Sequence, residues 1–172
     1  MKIRGKAKLN TPRKVVTLVR TTSEEVDGKQ VEQQEVIQIR VRALAMGIDQ
    51  KMFELFPEPV KPQDYLKNAS GVIMRDPETK KTTIVDVETK EWREANSKII
   101  HGRMAYILFH GIDDPSVDFE ANGADVTKAE FFYGLFDRFV EFGLTMGDLT
   151  KLMGEITGLM NLSEDIETSK GN

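Results

Sequence analysis

The sequence predicts an α+β chain, with N-terminal β-hairpins and a short helix followed by a C-terminal three-helix bundle. Three stretches carry that prediction. Val36-Ile37-Gln38-Ile39-Arg40-Val41 alternates from Ile37 onward, which places Ile37, Ile39 and Val41 on one face of a strand. Lys90 to His110 contains no proline and repeats apolar residues at helical spacing. Thr127 to Met160 holds two amphipathic segments joined by Phe142-Gly143-Leu144-Thr145, each with its own start signal.

In chain order, Lys14-Val-Val-Thr-Leu-Val-Arg20 is β-branched and strand-length. A polar loop from Thr21 to Lys29 contains the turn dipeptide Asp27-Gly28, and the strand ending at Val41 follows. The pair reads as a hairpin whose register is left open by the loop length. From Ala43 to Phe56 the period changes, and Leu44, Ile48, Met52 and Leu55 define one helical face. Pro57, Pro59 and Pro62 stop that helix and favour an extended connector. Gly71 to Arg75 and Thr82 to Val87 flank a Pro77-containing turn and predict a second hairpin.

The long helix predicted over Lys90 to His110 places Trp92, Ala95, Ile99, Tyr106 and Phe109 near one face, with Gly111 set to end it. Thr127-Lys128-Ala129-Glu130 has the form of a capping box, so the next helix starts near Lys128. Its stripe is Phe132, Leu135, Phe136 and Phe139, opposite Glu130, Gly134, Asp137 and Glu141. Gly143 closes it. Thr145 and Asp148 cap the last helix, whose stripe is Leu149, Leu152, Met153, Ile156 and Met160. These elements divide the chain into residues 1–60, a linker and hairpin over 61–87, a bundle over 88–162 and a polar tail over 163–172, within one compact domain.

Composition narrows the chemistry. The 172 residues include no cysteine, which excludes disulfides, thiolate metal sites and thiol nucleophiles. No apolar run approaches the roughly 20 residues of a membrane span, and the N-terminus lacks the apolar core of a signal peptide, so residence in the cytoplasm is the expectation. Net charge is −4, yet the first twenty residues carry seven basic and no acidic side chains, leaving about −11 on the remainder. Lys2, Arg4, Lys6 and Lys8 alternate with small or apolar residues and share one side of an extended arm. Without an aromatic residue before Phe53 to stack on a base, a solvated face or an arm on the acidic body is favoured over a nucleic-acid contact.

No constellation points to catalysis, a metal or a cofactor. His101 and His110 lie nine residues apart on one helix, half a turn out of phase, so they cannot share a metal or a proton. Asp118, Glu120, Asn122 and Gly123 imitate the start of a calcium loop, but Ala129 stands where the bidentate carboxylate is required. There is no Gly-x-Ser-x-Gly elbow and no phosphate-binding glycine motif.

Several stretches together resemble the tail assembly chaperones of long-tailed bacteriophages and related prophages. They are Val41-Arg-Ala-Leu-Ala-Met-Gly47, Phe56-Pro-Glu-Pro-Val-Lys-Pro62, the apolar middle helix and Gly143-Leu-Thr-Met-Gly-Asp-Leu-Thr-Lys-Leu152. The resemblance implies a non-enzymatic helper that binds the tape-measure protein and the tail-tube subunit in the host cytoplasm and leaves before the virion is complete. On that basis Phe131, Phe139, Met146, Leu149, Met153 and Met160 are the expected partner-binding residues. Self-association is compatible with this reading, while a membrane or nucleic-acid partner is disfavoured. Two alternatives remain open: a structural virion protein of the tail or head-tail connector, and a small regulatory or nucleic-acid-binding protein that uses the basic arm.

Overall fold

The computed structural model describes residues 11–26, 29–121 and 123–168, with side chains at all of these except 21–33 and 161–168. The class is α+β, with strands β1 (Arg13–Val26), β2 (Lys29–Arg42), β3 (Gln63–Tyr65) and β4 (Ile84–Asp86). The helices are α1 (Ile48–Leu55), α2 (Lys90–Gly111), α3 (Ala129–Glu141) and α4 (Met146–Thr168). The basic arm from Lys2 to Lys8 and the Asp27-Gly28 dipeptide lie outside the described residues.

β1 and β2 pair antiparallel in one unbroken register, from Arg13 opposite Arg42 to Val26 opposite Lys29. The alternation sorts their side chains. Val16, Leu18, Ile39 and Val41 are buried with Ile37 packed beside them, while Val15, Val19 and Val36 face outward. The polar loop expected from Thr21 to Lys29 is instead ladder up to Val26, which pairs with Lys29.

Helix α1 begins at Ile48, five residues after the expected start. The Ala43 amide still donates to the Pro12 carbonyl at 3.0 Å, so the chain is extending the hairpin there. Gly47, at φ 77°, then turns it into the helix. Phe56 ends α1 fully buried, with its ring edge-on to Tyr133, Phe132 and Tyr106 at 5.6, 5.9 and 6.1 Å.

The second hairpin also differs from expectation. β4 pairs with β3, which follows directly on the proline run, whereas Gly71 to Arg75 contributes only the bridges Lys67–Ile73 and Arg75–Thr82. Two side-chain turns cause this. The Asn68 side-chain oxygen accepts the amides of Ser70 and Val72, and Asp76 accepts those of Glu78 and Thr79, so the chain folds back twice within a few residues.

Helix α2 packs against both α3 and α4 through its C-terminal half, where Met104, Ala105, Tyr106 and Leu108 are buried. Its N-terminal half has no buried residue before Gly102, and Ala95 is exposed, contrary to the expected stripe. Two glycines permit the close contacts. A side chain at Gly102 would lie 2.5 Å from the Phe56 ring, and one at Gly111 would lie 2.5 Å from Ile156.

The turn between α3 and α4 is built from backbone groups. The Gly143 amide donates to Val140 and the Leu144 amide to Phe139, a Schellman closure with Gly143 at φ 87°. Thr145 and Asp148 then form a reciprocal box: the Asp148 carboxylate accepts the Thr145 amide at 2.9 Å, and the Thr145 hydroxyl accepts the Asp148 amide at 3.2 Å. The box expected at Thr127 and Glu130 does not form. Asp125, two residues earlier, accepts both the Thr127 amide and hydroxyl, and α3 starts without a side-chain cap. α4 also runs on to Thr168, into the polar tail expected from Ser163, where neither proline nor glycine interrupts it.

Gly102→Ala should destabilise the chain by about 1–3 kcal/mol through overpacking against Phe56. Gly158→Ala, where the new methyl meets nothing within 4 Å, should stabilise it by roughly 0.5–1 kcal/mol. Urea unfolding of both variants checks the opposite signs. Asp148 is held below the usual carboxylate range by the Thr145 amide first, with the Thr145 hydroxyl and Arg20 adding to this. Its stabilisation is therefore present above the ordinary carboxylate pKa and is lost as pH falls through the lowered one. Asp148→Asn should cost about 1 kcal/mol near neutrality. That difference should shrink in acid, as read from melting temperatures across a pH series.

Candidate interaction surfaces

The region between α1 and α2 is tied down at its ends and open everywhere else. Arg103 on α2 donates from Nη2 and Nε to the Phe56 carbonyl at 2.7 and 3.1 Å, fixing the start of the proline run. The Trp92 indole donates to the Pro59 carbonyl at 3.0 Å, and the Lys61 ammonium sits over its ring. The Val87 amide donates to the Pro62 carbonyl at 2.8 Å and closes the neck. The proline stretch is thus a clamped base.

Beyond that base projects a small sheet in which every residue from Gln63 to Ile84 is exposed. Register assigns its faces. Tyr65 lies opposite Ile84, with Ile73 on the same side through its bridge to Lys67, and Leu66, Val72 and Met74 fall on the other. Val72 is 61% exposed and Ile84 56%. Apolar side chains on both faces of so short a sheet have no core of their own.

A second apolar patch lies at the corner between α3 and α4, where Val140, Phe142 and Met146 are exposed beside Asp137 and Glu141. The sequence-predicted partner residues divide unevenly around it. Met146 is on this open surface, whereas Phe131, Phe139 and Leu149 are buried in the chain's own core, and Met153 and Met160 pack partly buried against it. In this fold Phe131, Phe139 and Leu149 belong to the core that α2, α3 and α4 enclose. The exposed set on the projecting sheet was missed because two short apolar runs around a turn predict a hairpin without showing what covers it. The signal available was the absence of any nearby amphipathic segment to cover them.

The groups that resemble chemical sites have structural partners. His101 stacks on Phe136, with centroids 4.0 Å apart and planes 3° from parallel. His110 meets the Tyr106 ring at 4.5 Å, and burial, with Arg42 and Lys51 nearby, holds its pKa below the ordinary value. In the acidic loop the Arg138 guanidinium donates to the carbonyls of Phe119 and Glu120 at 2.7 and 3.0 Å, where a calcium loop would turn oxygens toward an ion. Asp114 is lowered to about 2 by the Ser116 hydroxyl and amide and by the Arg40 amide, which together pin the loop to β2. Among the described residues no three His, Asp or Glu side chains are grouped to hold a metal, and no helix is long and apolar enough to cross a membrane.

No family model, curated protein or solved structure matches this chain.

Arg103→Ala should leave the half-buried Phe56 carbonyl region without its two donors, costing about 1–3 kcal/mol. Amide exchange between residues 63 and 87 should then accelerate more than exchange in α4, which hydrogen-exchange mass spectrometry resolves by segment.

Proposed function

We propose that this chain is a non-enzymatic assembly chaperone of the kind used in long-tailed phage morphogenesis. In this reading it keeps the tape-measure protein, and with it the tail-tube subunit, soluble until the two assemble. The observation that supports it is the projecting sheet, whose exposed Tyr65, Val72, Ile73, Met74 and Ile84 sit on a base fixed by Arg103 and Trp92. A long helical client with apolar stripes aggregates through those stripes, and a clamped apolar platform can cover one. Met74 and Met146 suit that role, since an unbranched thioether repacks against varied side chains. Arg103 and Trp92 of α2 hold the platform in place, and in this reading the client contact lies on its exposed residues.

Co-expression with a tape-measure fragment should yield a soluble complex. The double substitution Ile73→Asp and Ile84→Asp should lower its recovery about tenfold, equal to ~1.4 kcal/mol of binding. Because both side chains are exposed, the melting temperature of the free chain should hardly move. Leu149→Ala, at a fully buried position, should instead cost about 2–5 kcal/mol of stability. Equal precipitation of the fragment with and without this protein would refute the reading. So would recovery of the chain from purified mature particles, which is the outcome a structural virion protein gives. A gene lying between those for a tail-tube subunit and a very long tape measure is the genomic counterpart of the same expectation.

A further inference from the structure

Where β2 passes into the turn before α1, the structure holds a cavity of about 230 Å³ beside Thr11, lined by Arg42, Ala43, Leu44, Ala45, Ile48 and His110. Its lining is divided by chemistry. Ala43, Leu44, Ala45 and Ile48 form an apolar wall, Arg42 and His110 are the nitrogen-bearing side chains of the lining, and among the described residues no carboxylate lines the space. Arg42 donates from Nε to the His110 carbonyl at 3.1 Å, and its Nη1 lies a long 3.8 Å from Asp113. Asp113 is meanwhile held more tightly by Arg13 at 2.7 Å, so it leaves Arg42 poorly neutralised.

The positive charge of Lys51 on α1 acts on the same histidine, and Tyr106, one turn earlier on α2, meets the imidazole edge-on. Arg42 and Lys51 therefore act on His110 as positive charges, and Asp113 is a carboxylate that Arg13 and Arg42 share. Burial first, and then the charges of Arg42 and Lys51, hold the pKa of His110 below the ordinary imidazole value.

We propose that this cavity binds a small monocarboxylate with a short apolar body, the carboxylate on Arg42 and His110 and the hydrocarbon against Leu44 and Ile48. A bidentate guanidinium contact and an imidazole N–H suit a planar anion, and the aliphatic wall excludes a purely hydrated one. This site shares no residue with the projecting sheet, so it does not rest on the chaperone reading.

Nuclear magnetic resonance titration of the two histidines in the full chain tests it, with butyrate, acetate and butyramide as probes. His101, stacked on Phe136 nine positions earlier, is the internal control. Butyrate should raise the pKa of His110 by about one unit, since a bound anion favours the imidazolium, and should leave His101 unmoved. By linkage, butyrate affinity should fall as pH rises through the pKa of His110. Acetate should act more weakly, and butyramide, which has the body without the charge, should not shift the pKa. Arg42→Gln should weaken butyrate binding by about tenfold or more. Lys51→Gln, an exposed change that leaves the contacts of Arg42 intact, should weaken it severalfold in a chain that still folds. The proposal is overturned if butyrate leaves the pKa of His110 unchanged, if butyramide reproduces the shift, or if His101 moves equally.

Discussion

The packing of Phe56 is the constraint on which the arrangement of this molecule depends. Its ring is fully buried where α1 gives way to the proline run, and it touches aromatic residues from both α2 and α3. Gly102 makes the space, because any side chain there would enter the ring. One residue further along the backbone the same position is grasped again, since the Phe56 carbonyl accepts two hydrogen bonds from Arg103. The hairpin and α1 are thereby joined to the helical bundle, and the direction in which the chain leaves toward β3 is set. A short helix of eight residues would be marginal alone. It is the buried aromatic at its end that gives it a fixed place.

Periodicity explains which parts of this fold were legible in the sequence. The β1–β2 pairing and the α3–α4 hairpin each bury one face, so the apolar spacing that makes them stable is also written along the chain. Caps were less certain guides because hydrogen-bond donors have alternatives. Thr145 and Asp148 bond to each other as their spacing predicts, and the same carboxylate also receives Arg20 from β1 at 3.3 Å. Thr127 had the same opportunity with Glu130, but Asp125 lies only two residues away and captures its hydroxyl first. Local competition of that kind depends on turn geometry, which an apolar pattern does not encode.

The candidate surface was harder to read for a related reason. A stripe such as Phe132, Leu135, Phe136 and Phe139 has the same spacing whether the neighbour covering it is the chain's own helix or another protein. Here α2 covers it, and so Phe131, Phe139 and Leu149 are consumed by the core. The side chains left over belong to segments too short for periodicity to speak. β3 and β4 have three residues each, and Val72, Ile73 and Met74 sit between two side-chain turns with a single bridge on either side. Exposure in such a piece follows from what fails to reach it, and that is a property of the whole fold.

The energetics of the projecting sheet connect this exposure to behaviour. Three short segments with no buried residue between Gln63 and Ile84 gain little from burial, and a small sheet of this kind is marginal in water without a face to pack on. Its order therefore leans on the neck, where Arg103, Trp92 and the Val87–Pro62 hydrogen bond hold both ends. Closing the two ends lowers the entropy lost when the segments pair, yet it contributes no apolar burial. Any partner that covers Tyr65, Ile73 and Ile84 supplies the missing burial and stabilises the sheet by the same contacts through which it binds. Binding and local order are then linked in both directions: whatever loosens the neck raises the cost of binding, and whatever fills the face protects the neck.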